Sequence, residues 1–110
     1  MENGKFLVKV DDNYHYMDES ERYTSGSFAT LEEAIEECKK IARSSLADMY
    51  KEGIEPGTLG AQWAMFGEDP FVYSEEIKFE KPPFSARSFI DEKLCKEIIE
   101  ELKNRGKNEK

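Results

Sequence analysis

Apolar and polar residues alternate at the start of this chain and later switch to helical spacing. Across Lys5 to Val10, Phe6, Val8 and Val10 fall on one face and Lys5, Leu7 and Lys9 on the other. That period of two predicts a β-strand whose outer face, carrying Leu7, is less than fully polar. Asp11, Asp12 and Asn13 break it, because their side chains compete for backbone hydrogen bonds. Arg22 to Phe28 reads as the return strand, anchored by Tyr23 and Phe28, with Gly26 marking a bulge or a close backbone approach. The connection between the two strands, residues 12–21, is longer than the common hairpin loops of two to five residues.

The helical signal begins at Thr30-Leu31-Glu32-Glu33, a capping box with threonine at the N-cap and glutamate three residues on. Leu31, Ile35, Cys38, Ala42, Ser45 and Met49 then recur on one face, widened by Ala34, Ile41 and Leu46. Glu32, Glu33, Glu36 and Glu37 crowd the first turns, and Lys39, Lys40 and Arg43 follow, an order that complements the helix dipole. The pattern predicts a helix from about Leu31 to Glu52, stopped by Gly53 at C′.

Ile54-Glu55-Pro56-Gly57 has turn composition. Thr58 to Phe66 fits a short helix capped by Thr58, with Leu59, Gln62, Trp63 and Phe66 on one side and Gly67 closing it. A strand is the rival reading, since Gly60 weakens the helix by ~1 kcal/mol relative to alanine. Phe71-Val72-Tyr73 reads as a third strand and Glu75 to Phe79 as extended chain or a marginal strand, before Lys81-Pro82-Pro83 acts as a spacer. Ser85 then caps a last helix over about 86–103. Phe84 and Phe89 occupy the staple positions, and Leu94, Cys95, Ile98, Ile99 and Leu102 form its stripe. Phe89 and Ile90 fall off that stripe. Residues from about Asn104 are expected to fray.

These elements predict one α+β domain over residues 1–104, with a frayed tail at 105–110. A small antiparallel sheet of about three strands carries two main helices on one face, with a short third helix over 58–66.

Composition narrows the function. The chain has 110 residues, is 38% hydrophobic and 36% charged, and carries 24 acids against 16 bases, a net charge of −8. Nucleic acid and anionic membranes are bound by clustered Lys and Arg. Here the bases are dispersed among acids, so neither is expected as a partner. Two cysteines, Cys38 and Cys95, are too few for a disulfide scaffold or a four-ligand zinc site, and both fall on helices as core-facing free thiols. With no signal-peptide core or membrane-length apolar run, the expected location is the cytoplasm. The glycines at 53, 57, 60 and 67 form no phosphate-cradling loop, and no cofactor is expected.

Candidate chemistry gathers in two stretches. His15, the only histidine, is flanked by Asp11, Asp12, Asp18 and Glu19, a nitrogen and oxygen donor set that invites a divalent metal. A calcium loop of the EF-hand type fails, because counting from Asp11 puts Tyr16 and Arg22 where glycine and glutamate are required. No nucleophile-elbow or catalytic-cysteine pattern surrounds any serine or cysteine. The paired acids Asp18/Glu19 and Glu68/Asp69 would serve acid–base work only if one were buried. Phe66-Gly67-Glu68-Asp69-Pro70-Phe71 is the second stretch. It reads as a turn in Glu-Asp-Pro with both phenylalanines pinned to the core, or as an aromatic-acidic loop near 12–21. In the second reading Tyr14, Tyr16, Tyr23, Trp63 and Tyr73 supply recognition walls with polar tips.

The blocks VDDNYHYMDESERY, Gly26, Phe28-x-Thr30-x-Glu32-Glu33-Ala34, FGEDPF at 66–71 and PFSA at 83–86, in that order, resemble a family of small uncharacterised bacterial proteins. The resemblance spans roughly residues 6–95 and implies a small standalone α+β domain, with no assigned activity to carry over. The chain departs from that pattern around Gly57–Gly60, where a more helix-friendly stretch is usual.

The expected function is therefore a non-catalytic intracellular binding or regulatory module that contacts a protein partner or a second copy. Its contact residues would be Tyr14, His15, Tyr16, Asp18, Glu19, Tyr23, Trp63, Phe66, Glu68 and Asp69. The alternative is a small metal-dependent hydrolase centred on His15 and its neighbouring carboxylates. A third reading, attraction of a basic partner surface, uses the same two stretches.

Overall fold

The computed structural model describes residues 5–12 and 22–108 of the chain. Its element order is β1 (Phe6–Asp12), β2 (Tyr23–Phe28), α1 (Leu31–Asp48), α2 (Pro56–Phe66), β3 (Glu68–Tyr73), α3 (Ala86–Phe89) and α4 (Glu92–Asn108). The fold is α+β, and the three strands form one antiparallel sheet in the order β2-β1-β3.

β1 is central because it alone supplies an unbroken apolar stripe. Phe6, Val8 and Val10 are buried on the helix side, where Val8 faces Val72 and Val10 faces Pro70 across the β1–β3 ladder. Pro70 lacks an N–H, which an edge strand such as β3 tolerates. On the other side, β1 pairs Val8 with Gly26 and then Lys9 with Thr24, so Ser25 is the extra residue of a β-bulge. Gly26 also sits close to a ring, since a Cβ there would lie 3.3 Å from Phe28.

α1 lies against the sheet through small side chains. Ala34, Cys38, Ala42 and Ser45 are buried along it, which lets helix and strands approach closely. The Thr30 hydroxyl accepts the Glu33 N–H at 3.1 Å, as the capping box predicts. The helix ends earlier than expected. Met49 and Tyr50 donate to Leu46 and Ala47 three residues back, tightening the final turn. Gly53 is not its C′ stop: at φ 85° it fills the third position of a turn closed by Ile54 N–H to Lys51 C=O.

α2 is a helix, and it starts two residues before Thr58, with Pro56 in its first turn and no side-chain cap. Leu59 and Trp63 are buried, whereas Phe66 is 50% exposed and lies outside the buried core. Glu68-Asp69-Pro70 is no turn. Those residues already belong to β3, paired with Asp12, Asp11 and Val10.

The last helix is two helices. Ser85 caps the first through the Ser88 N–H, with Phe84 and Phe89 stapled at 5.6 Å between ring centroids. Asp91 then starts the second, accepting the Leu94 N–H at 2.9 Å. Two N-cap residues in succession force the break at Ile90, and the break resolves why Phe89 and Ile90 fall off the stripe of Leu94, Cys95 and Ile98. The helical backbone of α4 runs to Asn108.

Gly67 carries a testable consequence. Its φ of −83° would suit any residue, but a Cβ there would overlap the Trp63 indole. Gly67→Ala should cost ~1–3 kcal/mol as overpacking, read by urea unfolding; an unchanged midpoint would refute the contact.

Candidate functional site

The site is best built from Trp63 outward. Gly67 ends α2 with its N–H on the Trp63 carbonyl at 2.8 Å. The chain then doubles back, so that the indole Nε1–H donates to the Glu68 carbonyl at 2.9 Å. From α1, the buried Ser45 hydroxyl accepts the Glu68 N–H at 3.0 Å. Both backbone polar groups of Glu68 are thus held, and its carboxylate projects outward.

Tyr23 meets it there. Tyr23 faces Val10 on one side of β1, and Glu68 faces Asp12 on the other. The tyrosine therefore reaches across the end of β1 to donate its hydroxyl to the Glu68 carboxylate at 3.3 Å. Partial burial raises the Tyr23 phenol above its ordinary value, and the negative charge of Glu68, its hydrogen bond and Glu37 add to the rise. Nearby, Ser25 donates to the Glu37 carboxylate at 2.7 Å, tying β2 to α1.

Asp69 faces Asp11 across the β1–β3 ladder. Burial raises its carboxyl, the Arg87 guanidinium opposes that, and Asp11 raises it further. Asp11 is itself gripped by Arg22, whose Nε and Nη2 donate to its two oxygens at 2.5 and 3.3 Å. An exposed pair of this kind stabilises by roughly 0.2–1 kcal/mol, and it engages both Asp11 oxygens. Among the described residues, no group of three or more His, Cys, Asp or Glu side chains could hold a metal ion.

The two cysteines are free and buried. Burial, with Glu37 and Asp69 adding to it, pushes the Cys38 thiol up to about 12, and burial also raises Cys95, helped by Asp91 and Glu92. Both are held as thiols, the unreactive form.

Of the residues singled out in the sequence, the structure brings Tyr23, Trp63, Phe66, Glu68 and Asp69 to one end of the sheet. Tyr14, His15, Tyr16, Asp18 and Glu19 lie outside the described residues. Ser25, Glu37, Ser45 and Arg22 escaped the sequence reading. Arg22 had a signal, because antiparallel strands flanking residues 12–21 bring it near Asp11. Ser25 and Glu37 had none, since their contact depends on where α1 lies over the sheet.

No family model, curated protein or solved structure matches this chain. Among the described residues, no helix is long and apolar enough to cross a membrane.

Two titrations follow. With its raised value, Asp69 favours the fold while protonated, and that contribution is lost as pH rises through its folded pKa. Asp69→Asn should therefore raise the melting temperature at neutral pH and lose that advantage below the ordinary aspartate pKa of about 3.9. For Tyr23, the tyrosinate absorbance of wild type minus Tyr23→Phe should titrate above 10.0. Glu68→Gln should bring it down toward that value; a Tyr23 titration indifferent to Glu68 would contradict the hydrogen bond.

Proposed function

We propose that this protein is a non-catalytic intracellular binding module that contacts a protein partner through the aromatic patch at the α2–β3 junction. The observation that carries the reading is exposure. Tyr23 is 47%, Met65 59% and Phe66 50% exposed, and the Tyr23–Glu68 hydrogen bond ties Tyr23 to the start of β3, two residues past Phe66. Single exposed apolar residues are ordinary. A grouped set of aromatic and methionine side chains beside carboxylates has the composition of a contact surface.

Several potential nucleophiles among the described residues have structural roles. The thiols are buried, and the hydroxyls of Ser45, Ser74 and Ser85 accept backbone N–H groups. Buried free thiols suit a reducing compartment. The dispersed bases favour a protein partner over nucleic acid. Tyr14, His15, Tyr16, Asp18 and Glu19, which lie outside the described residues, stay candidate contact residues in this reading.

The double variant Met65→Ser/Phe66→Ser tests it. Both side chains are exposed, so stability should stay within about 0.5 kcal/mol, while a partner captured from native cell extract by the wild type should be lost. Identical captured sets from both proteins would sink the reading.

A further inference from the structure

The two outer strands of the sheet differ in what they offer. β3 carries Glu68, Asp69 and Pro70 along its first half, and a proline removes one donor from the edge. β2 is Tyr-Thr-Ser-Gly-Ser-Phe, without a charge or a proline. Among the described residues it pairs only with β1. Its outer backbone N–H and C=O groups are a template for one more strand.

At the Phe28 end of β2 lies an open, shallow depression lined by Ser27, Phe28 and Ala29 and, on the α1 side, by Glu32, Glu33, Glu36, Glu37 and Lys40. The floor is apolar where Phe28 lies half-buried. The wall is four carboxylates against one ammonium. Ser25 and Glu37 hold wall and strand together through their hydrogen bond.

We propose that the outer edge of β2 accepts an extended, lysine- or arginine-bearing segment of a partner protein as a fourth strand, its basic side chains lying against Glu32, Glu33, Glu36 and Glu37. The proposal rests on the binding-module reading and names the class of partner. Main-chain hydrogen bonds supply pairing, and alternate side chains supply selectivity. A strand's side chains point to opposite faces in turn, so every second residue of the segment meets the α1 wall. Those are the basic positions. Charge decides against a second copy of this chain, because two β2 edges paired about a two-fold axis would bring both acidic walls to one face.

The test uses the full chain, labelled with ¹⁵N, and a synthetic octapeptide alternating lysine and valine, compared with its glutamate-for-lysine counterpart. Saturable amide shifts confined to 23–28 and 32–40 are expected with the lysine peptide alone. The affinity should fall about tenfold or more between ~50 and ~500 mM salt, and by a similar factor in Glu33→Lys/Glu36→Lys, whose exposed positions leave the fold intact. Equal binding of the glutamate peptide, or no saturation by about millimolar peptide, would overturn the proposal. So would β2 shifts that follow protein concentration without peptide, which would put a second copy on the edge. Peptide shifts at Met65, Phe66 and Glu68 instead would remove the β2 assignment and leave the binding-module reading standing. An unchanged captured set with Met65→Ser/Phe66→Ser would remove that reading's surface without touching the peptide result.

Discussion

The end of the sheet depends on how closely the Trp63 indole approaches the backbone at Gly67 and Glu68. Gly67 has no side chain to hold the ring away, so the indole N–H can reach the Glu68 carbonyl at 2.9 Å. A buried indole donor without a partner would cost roughly 1–3 kcal/mol. The chain avoids that penalty by turning immediately from α2 into β3. The start of β3, its register on β1 and the outward aim of the Glu68 carboxylate all follow from that one turn. Ser45 on α1 secures it from the other side, which couples the helix layer to the sheet at the same point.

Basic side chains are used sparingly, and several lie on rings. Lys9 sits 4.8 Å over Tyr73 and Arg22 5.1 Å over Phe71, while Arg87 sits 5.6 Å over Trp63. Such contacts are worth ~0.5–1 kcal/mol at exposed sites. They also draw Lys9 of β1, Arg22 just before β2 and Arg87 of α3 toward aromatic faces. The carboxylates in the first half of α1 are left with little opposing charge beyond Lys39, 3.8 Å from Glu36, and Lys40 in the wall of the depression.

Much of the fold was legible because its signals are local. The alternation of Phe6, Val8 and Val10 needs no partner to be read, and the Thr30 capping box lies within one turn. Errors came where two local signals compete or where a distant contact decides. Ser85 and Asp91 are both good N-caps, and a single periodic stripe concealed the second. Asp69-Pro70 has turn composition, yet pairing with β1 holds it extended. Phe66 looks like core by composition and is exposed, because α2 turns Leu59 and Trp63 inward instead. The site was half legible: acids and aromatics stood out as types, but the Tyr23–Glu68 contact requires knowing that a single strand lies between them.

The strand order has a consequence for how the chain assembles. β1 is first among the described strands in sequence and central in space, with Val8 facing Gly26 on one side and Val72 on the other. The hairpin can close early, but the second ladder must wait for a distant segment, from Asp12 with Glu68 to Leu7 with Tyr73. Until that segment arrives, the most apolar strand keeps one flank unpaired while α1 forms beside it. Closing so long a loop costs more chain entropy than closing the local hairpin. During synthesis, that unpaired flank is open to mispairing.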